Sequence, residues 1–195
     1  MTKTQTEGSP PSNPKVLIAP SEIAGYYSRL TQAMKATGWH VDFVTRTQHP
    51  YGYLNPTPTP LLVKVADVTA LLSKPGGRCG LLRGLGRVLS EMTWSLWSLM
   101  AIIRYDVFIF GFGRSLLRRN LDLPLIRILR KRVIVNLAHG SEARPPYMNG
   151  ALEFDLSAFE GLLELRQQTR DTARRVALFE RYADVVIGAP FSTSQ

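Results

Sequence analysis

His139, Gly140, Ser141, Glu142 and Arg144 stand together in the stretch VIVNLAHGSEARPPYMNG at residues 133–150. An imidazole beside a carboxylate and a guanidinium can carry a proton, orient a hydroxyl and offset negative charge. The run before them, VIVNL, is rich in strand formers and short enough to be a strand buried on both faces. In an open α/β sheet, ligands bind at the carboxyl ends of the strands. A strand that ends in His-Gly-Ser-Glu-x-Arg therefore delivers a proton carrier, a tight turn and two charges to that crevice. The same residues equally suit a polar surface loop in which His139 is hydrogen-bonded locally and does no chemistry.

Two further turns compete for attention. Gly111-Phe112-Gly113-Arg114-Ser115 follows the apolar run DVFIF and precedes a helical stretch. Glycines there allow close backbone approach, and free amides with Arg114 suit a phosphate or a sugar. The plainer reading is a tight strand-to-helix turn with a solvated arginine. The first such turn, APSEIAG at residues 19–25, has Gly25 as its one glycine and lacks the G-x-G-x-x-G of a dinucleotide site. No metal site is expected, because His40, His49 and His139 are far apart and Cys79 is the sole cysteine. Neither a G-x-S-x-G elbow nor a P-loop occurs.

The elements that must position these turns read as alternating strands and helices. Residues 1–14, rich in Ser, Thr and Pro, are expected to be a disordered leader. KVLIA at 15–19 is the first strand, and Ser21 is placed to cap a helix with Ile23, Tyr27, Leu30 and Met34 on one face. Gly38 ends that helix before a second strand, HVDFVT, at 40–45. The prolines at 50, 56, 58 and 60 predict an extended loop, and residues 61–65 a short third strand. A long helix follows over 81–104, then the strand at 106–110. Asn120 is expected to cap a helix through Arg132 with Pro124 in its first turn. After the strand at 133–137, Ser157 and Glu160 form a capping box for a helix to Tyr182, and DVVIG at 184–188 is the last strand. The alternation implies an α/β fold with a doubly wound, mostly parallel sheet. A chain that stops soon after a strand is expected to be one half of something larger.

With 24 basic and 15 acidic residues the chain carries a net charge of +9, which favours an anionic partner: phosphate, nucleic acid or anionic lipid. Nucleic acid is not expected, since no binding motif occurs and the basic residues are scattered. One cysteine excludes a disulfide framework and fits a reducing compartment, and the N-terminus lacks the apolar core of a signal peptide, so a cytoplasmic location is expected. Residues 88–103 are apolar and hold Trp94 and Trp97, but Glu91, Ser95 and Ser98 interrupt them. They also fall short of the roughly 20 residues of a membrane span. Arg78, Arg83, Arg87 and Arg104 flank the tryptophans, a pairing that suits peripheral contact with an anionic membrane surface. The alternative is that the tryptophans pack into the core and the arginines face water.

Taken in order, KVLIA with its helix and second strand, YDVFIFGFG, VIVNLAHGSEARP and YADVVIGAPFSTSQ resemble the N-terminal Rossmann-like half of a GT-B glycosyltransferase of the retaining, family 4-like kind. The likeness covers most of residues 14–195. It implies that residues 15–195 are an acceptor-side domain facing a C-terminal half that holds a nucleotide-sugar donor, with no other cofactor. His139 matches the histidine that such enzymes place near the transferred sugar. Gly25 falls where they place glycines near the donor phosphates, with less glycine than is usual. Gly111, Gly113, Arg114, Gly140, Ser141, Glu142 and Arg144 are expected to shape the acceptor or phosphate side of the cleft. The Glu-x7-Glu motif of the donor half occurs nowhere in the chain. The chain alone is therefore expected to be inactive until joined by a donor-binding domain or subunit. The acceptor is read as a lipid-linked or cell-envelope glycan on the basic, Trp-bearing helix alone. The competing function is a non-catalytic doubly wound adaptor that docks a catalytic partner at a membrane surface.

Overall fold

The computed structural model describes residues 13–46, 57–71, 80–137, 144, 146–148 and 159–188. Five strands form one sheet: β1 (Lys15–Ala19), β2 (His40–Phe43), β3 (Val107–Gly111), β4 (Arg132–Asn136) and β5 (Val185–Ile187). Their order is β2-β1-β3-β4-β5 and every pairing is parallel. This is a doubly wound, Rossmann-like α/β fold. The chain grows from β1 to one edge, returns past β1, and then grows to the other edge. Right-handed crossovers put helices on opposite faces when the direction reverses.

Alternation along the strands supplies both faces. Val16 and Ile18 of β1, with Ile109 of β3, pack under α1 (Tyr26–Ala36), whose Tyr27 is buried among them with Ile23, Leu30 and Met34 alongside. Leu17 and Ala19, Phe108 and Phe110, and Val133 and Val135 face the other way. There they meet Val63 and Ala66 of α2 (Leu61–Leu71), Trp94 and Trp97 of α3 (Gly80–Arg104), Ile126 of α4 (Leu123–Ile128) and Phe179 of α5 (Phe159–Tyr182). Both tryptophans thus belong to the core, and the membrane role expected of them is withdrawn. Among the described residues, no helix is long and apolar enough to cross a membrane.

Three expectations about elements change. The third strand at 61–65 is helix α2. Val63 and Ala66, three residues apart, both turn inward, which a helix allows and a strand forbids. Ser21 does not cap α1. The Glu22 carboxylate does so instead, accepting the amides of Tyr27 at 3.1 Å and Ser28 at 2.9 Å. Asn120 caps no long helix either. It ends a 3-10 turn (Arg118–Asn120) with φ of 59°, and the helix starts after Asp122. That helix stops at Ile128, because Arg130 adopts a φ of 56° and the amide of Lys131 closes back onto the carbonyl of Ile126 at 3.1 Å. The leader at 1–12 and the proline-rich 47–56 lie outside the described residues, as does Ser157 of the expected capping box.

The aspartates of YDV and ADV have a structural task. Asp106, just before β3, accepts the Lys15 amide at 3.1 Å and the Lys131 ammonium at 3.0 Å. Asp184, just before β5, accepts the Val133 amide at 2.8 Å and the Arg132 guanidinium at 3.0 Å. Each carboxylate locks the start of a neighbouring strand. The Lys131 bond, helped by the Lys15 amide, holds Asp106 below the usual carboxylate range. At Asp184 partial burial opposes ionisation, but the Val133 amide with Arg132 and Arg127 outweighs it, so its pKa also falls. For carboxyls with depressed folded pKa values, the stabilisation is present above the unfolded pKa and is lost as pH falls through the folded one. Stability should therefore drop on acidification below about pH 4. Urea unfolding across that range should show a shallower drop in Asp106→Asn/Asp184→Asn than in wild type; an identical slope would exclude these two groups as the cause.

Candidate functional site

The sheet reverses between β1 and β3, and the carboxyl edge at such a reversal is where open α/β sheets leave a crevice. A hollow of about 300 Å³ lies there, between Pro20 and Ser21 after β1 and the segment from Arg114 to Asn120 after β3. Among the described residues its lining includes four arginines, Arg46, Arg114, Arg118 and Arg119, and no acidic side chain. Arg46 reaches it from the end of β2, where its amide donates to the Pro20 carbonyl at 2.9 Å. Its guanidinium pairs with Glu91 of α3 and lies 5.5 Å from the centre of the Trp94 ring. The other three cations come from a single loop.

That loop is held in an unusual course. Phe112, Gly113, Arg119 and Asn120 all have positive φ, between 56° and 59°. For residues other than glycine this costs energy that the surroundings must supply. The supply is a buried polar network. Asn120 accepts the Ser115 amide at 2.8 Å and hydroxyl at 3.0 Å, and donates to the Gly113 carbonyl at 3.2 Å. The wholly buried Asp122 accepts the Ser115 hydroxyl and the amides of Leu116 at 3.0 Å and Leu117 at 3.2 Å. Burial pushes the Asp122 carboxyl above its usual range, against the pull of these bonds. From outside, the Trp94 indole donates to the Leu116 carbonyl at 2.6 Å. With its backbone so fixed, the loop turns Arg114, Arg118 and Arg119 outward, and all three are exposed. Arg114 and Arg119 also border a second hollow against α5, shared with Gln167, Asp171, Arg174 and Arg175.

The glycines have a different use from the one their spacing suggested. A side chain at Gly111 would overlap the Tyr27 phenol, and one at Gly113 would meet Arg175 Cδ at 2.7 Å. The room they leave is filled by this chain's own α1 and α5. Gly25 adopts a φ of 78° at the start of α1. The amides that follow it are taken by Glu22, where a phosphate would otherwise sit at a helix N-terminus. Arg114 is thus brought to the crevice; Gly113 borders the second hollow, and Gly25 and Gly111 are not among the residues that line either. Arg144 is half-buried, next to a short turn (Pro146–Met148) that packs on α5. His139, Gly140, Ser141 and Glu142 lie outside the described residues.

Another hollow lies at the opposite edge, against Lys15, Trp39, His40, Asp42 and Tyr105. Its Tyr105 hydroxyl donates to Asp42 at 2.7 Å. Burial, then that carboxylate, push the phenol above its usual range. Among the described residues no cluster of His, Cys, Asp or Glu could hold a metal ion. The chain matches no protein-family model, no curated protein and no solved structure.

Replacing Asp122 by alanine leaves the Leu116 and Leu117 amides without their acceptor and the Ser115 hydroxyl with Asn120 alone. It should cost about 3 kcal/mol or more of unfolding free energy. Denaturant titration tests this, and a loss within about 0.5 kcal/mol would remove Asp122 as the loop's anchor. Glu22→Ala should lower stability by about 1 kcal/mol, the ordinary worth of a helix cap, in the same measurement.

Proposed function

We propose that the chain is the acceptor-side domain of a nucleotide-sugar-dependent glycosyltransferase, with the donor held by a further domain or subunit. The observation that carries this reading is the hollow at the β1/β3 reversal, whose described lining holds four arginines and no acid. Guanidinium groups in that number favour a ligand bearing phosphate or another compact anion. The donor diphosphate of such an enzyme, or a phosphorylated acceptor, has that chemistry. β4 ends on the same edge, with Asn136 in register with Gly111, and the His139 loop follows it in the chain. The order of motifs shared with retaining GT-B enzymes supplies the second support.

In this reading His139 lies nearest the transferred sugar and hydrogen-bonds a hydroxyl of the reacting pair. Gly140, Ser141, Glu142 and Arg144 shape the acceptor side. Arg114, Arg118 and Arg119 hold the anion, while Gly111 and Gly113 make room for Tyr27 and Arg175. Expulsion of a nucleoside diphosphate needs its developing charge stabilised. The arginine loop provides part of that stabilisation, and the donor half the remainder.

The test is transfer of labelled sugar from nucleotide-sugars by the assembly that co-purifies with this chain from its own cells. His139→Ala should lower the rate about 100-fold or more while leaving the unfolding curve unchanged. Arg114→Ala/Arg119→Ala should chiefly raise the KM of the anionic substrate. Full activity in both variants would refute the proposal and leave the docking-adaptor reading in its place.

A further inference from the structure

The hollow against α5 encloses about 620 Å³, within the range of small-molecule sites. Arg114, Arg119 and Asn120 line both it and the crevice at the β1/β3 reversal, so one stretch of loop borders the two. The other wall is α5, where Gln167, Asp171, Arg174 and Leu178 recur at helical spacing, with Arg175 beside them.

Charge is uneven there. Among the described residues four arginines meet one acid, Asp171. That carboxylate accepts the Gln167 amide at 3.0 Å and stands 4.0 Å from Arg174. Among the described residues, Arg114 and Arg119 pair with no carboxylate. Arg175 is held in place. Its stem lies on Gly113, where an added Cβ would come within 2.7 Å of Arg175 Cδ. Its guanidinium donates to the hydroxyl of the buried Thr172 at 3.1 Å. A fixed guanidinium facing two more on a strained loop favours a compact anion, because the fold itself meets the cost of gathering like charges.

The other residues narrow the ligand. Asp171 repels phosphate but accepts the hydrogen of a hydroxyl, and Gln167 beside it can donate or accept. Nucleic acid is a poorer fit, since single strands are held on aromatic platforms. Among the described residues no aromatic side chain lines either hollow. We infer that the two hollows form one bipartite site for a sugar or polyol bearing two phosphoryl groups. One group meets the arginines of the crevice and the other meets Arg174 and Arg175, while Gln167 and Asp171 take hydroxyls. The inference rests on the anion-binding part of the proposed function, whose acceptor it specifies, and not on sugar transfer. Two phosphates on one molecule make the second contact intramolecular, so the pair binds more tightly than either alone.

Calorimetric titration of the full chain tests this with fructose 1,6-bisphosphate and fructose 6-phosphate, which share a skeleton and differ by one phosphate. The bisphosphate should bind about 10-fold or more tightly. Arg174→Gln/Arg175→Gln should remove that advantage and leave the affinity for fructose 6-phosphate unchanged. Arg174→Gln alone, at an exposed position, should remove part of it with the unfolding curve unchanged. Arg118→Gln, in the crevice alone, should weaken both ligands. Asp171→Ala should weaken the bisphosphate although it removes a negative charge; a gain in affinity would overturn the polyol assignment. Equal affinities in the wild-type chain, or an advantage kept in full by Arg174→Gln/Arg175→Gln, would overturn the bipartite site and leave the crevice reading standing. Binding of neither sugar phosphate would remove both. Tighter binding of a single-stranded oligonucleotide, abolished in the same double variant, would assign the arginines to nucleic acid instead.

Discussion

All the described pairings are parallel, so every strand leaves the sheet at the same edge, and growth of the sheet reverses at β1. From that constraint the rest of the molecule follows. Parallel neighbours require crossovers, which cover both faces and make the strands apolar throughout. The reversal separates the crossovers on either side of β1, leaving one gap at the carboxyl edge. What fills the gap is decided by two loops, one after β1 and one after β3.

The two loops solve the gap differently. After β1 the backbone turns early and Glu22 satisfies the first amides of α1. After β3 the backbone takes four left-handed steps, held by Asn120 and Asp122 from beneath and Trp94 from the side. Rigid backbone under exposed guanidinium groups is the arrangement expected where like charges must stay close together. Unsupported, their mutual repulsion would spread them.

Much of the fold was legible because buried parallel strands write themselves as short apolar runs. KVLIA, VFIF and VIV all stand where those runs stand. The error at 61–65 arose from valines, which favour strands until a helix face is offered to them; the packing of α2 on α3 decided the matter. Asn120 looked like a cap because the same side chain that caps helices also stabilises left-handed turns. The crevice was legible only in part. Arg114 was found through its glycines, but Arg118 and Arg119 were passed over although three arginines in one loop after a strand was a readable signal. Arg46 carried no such signal, since strand order alone brings it beside residues some seventy positions later. The tryptophans suggested a surface role for α3, but an apolar helix that covers a sheet face carries the same residues, and both tryptophans pack into the core.

The position of Glu22 has a consequence for how this fold can change. In many nucleotide-binding sheets the anion sits on backbone amides, and such a cradle is set by the course of the main chain. Here the first amides of α1 are taken by the protein's own carboxylate, and the described lining of the crevice offers arginine side chains instead. Backbone recognition is hard to alter without refolding a turn. Recognition by exposed arginines can be rewritten one codon at a time, with the sheet and its loops untouched. A crevice lined in this way can change the ligand it prefers without any change to the sheet beneath it.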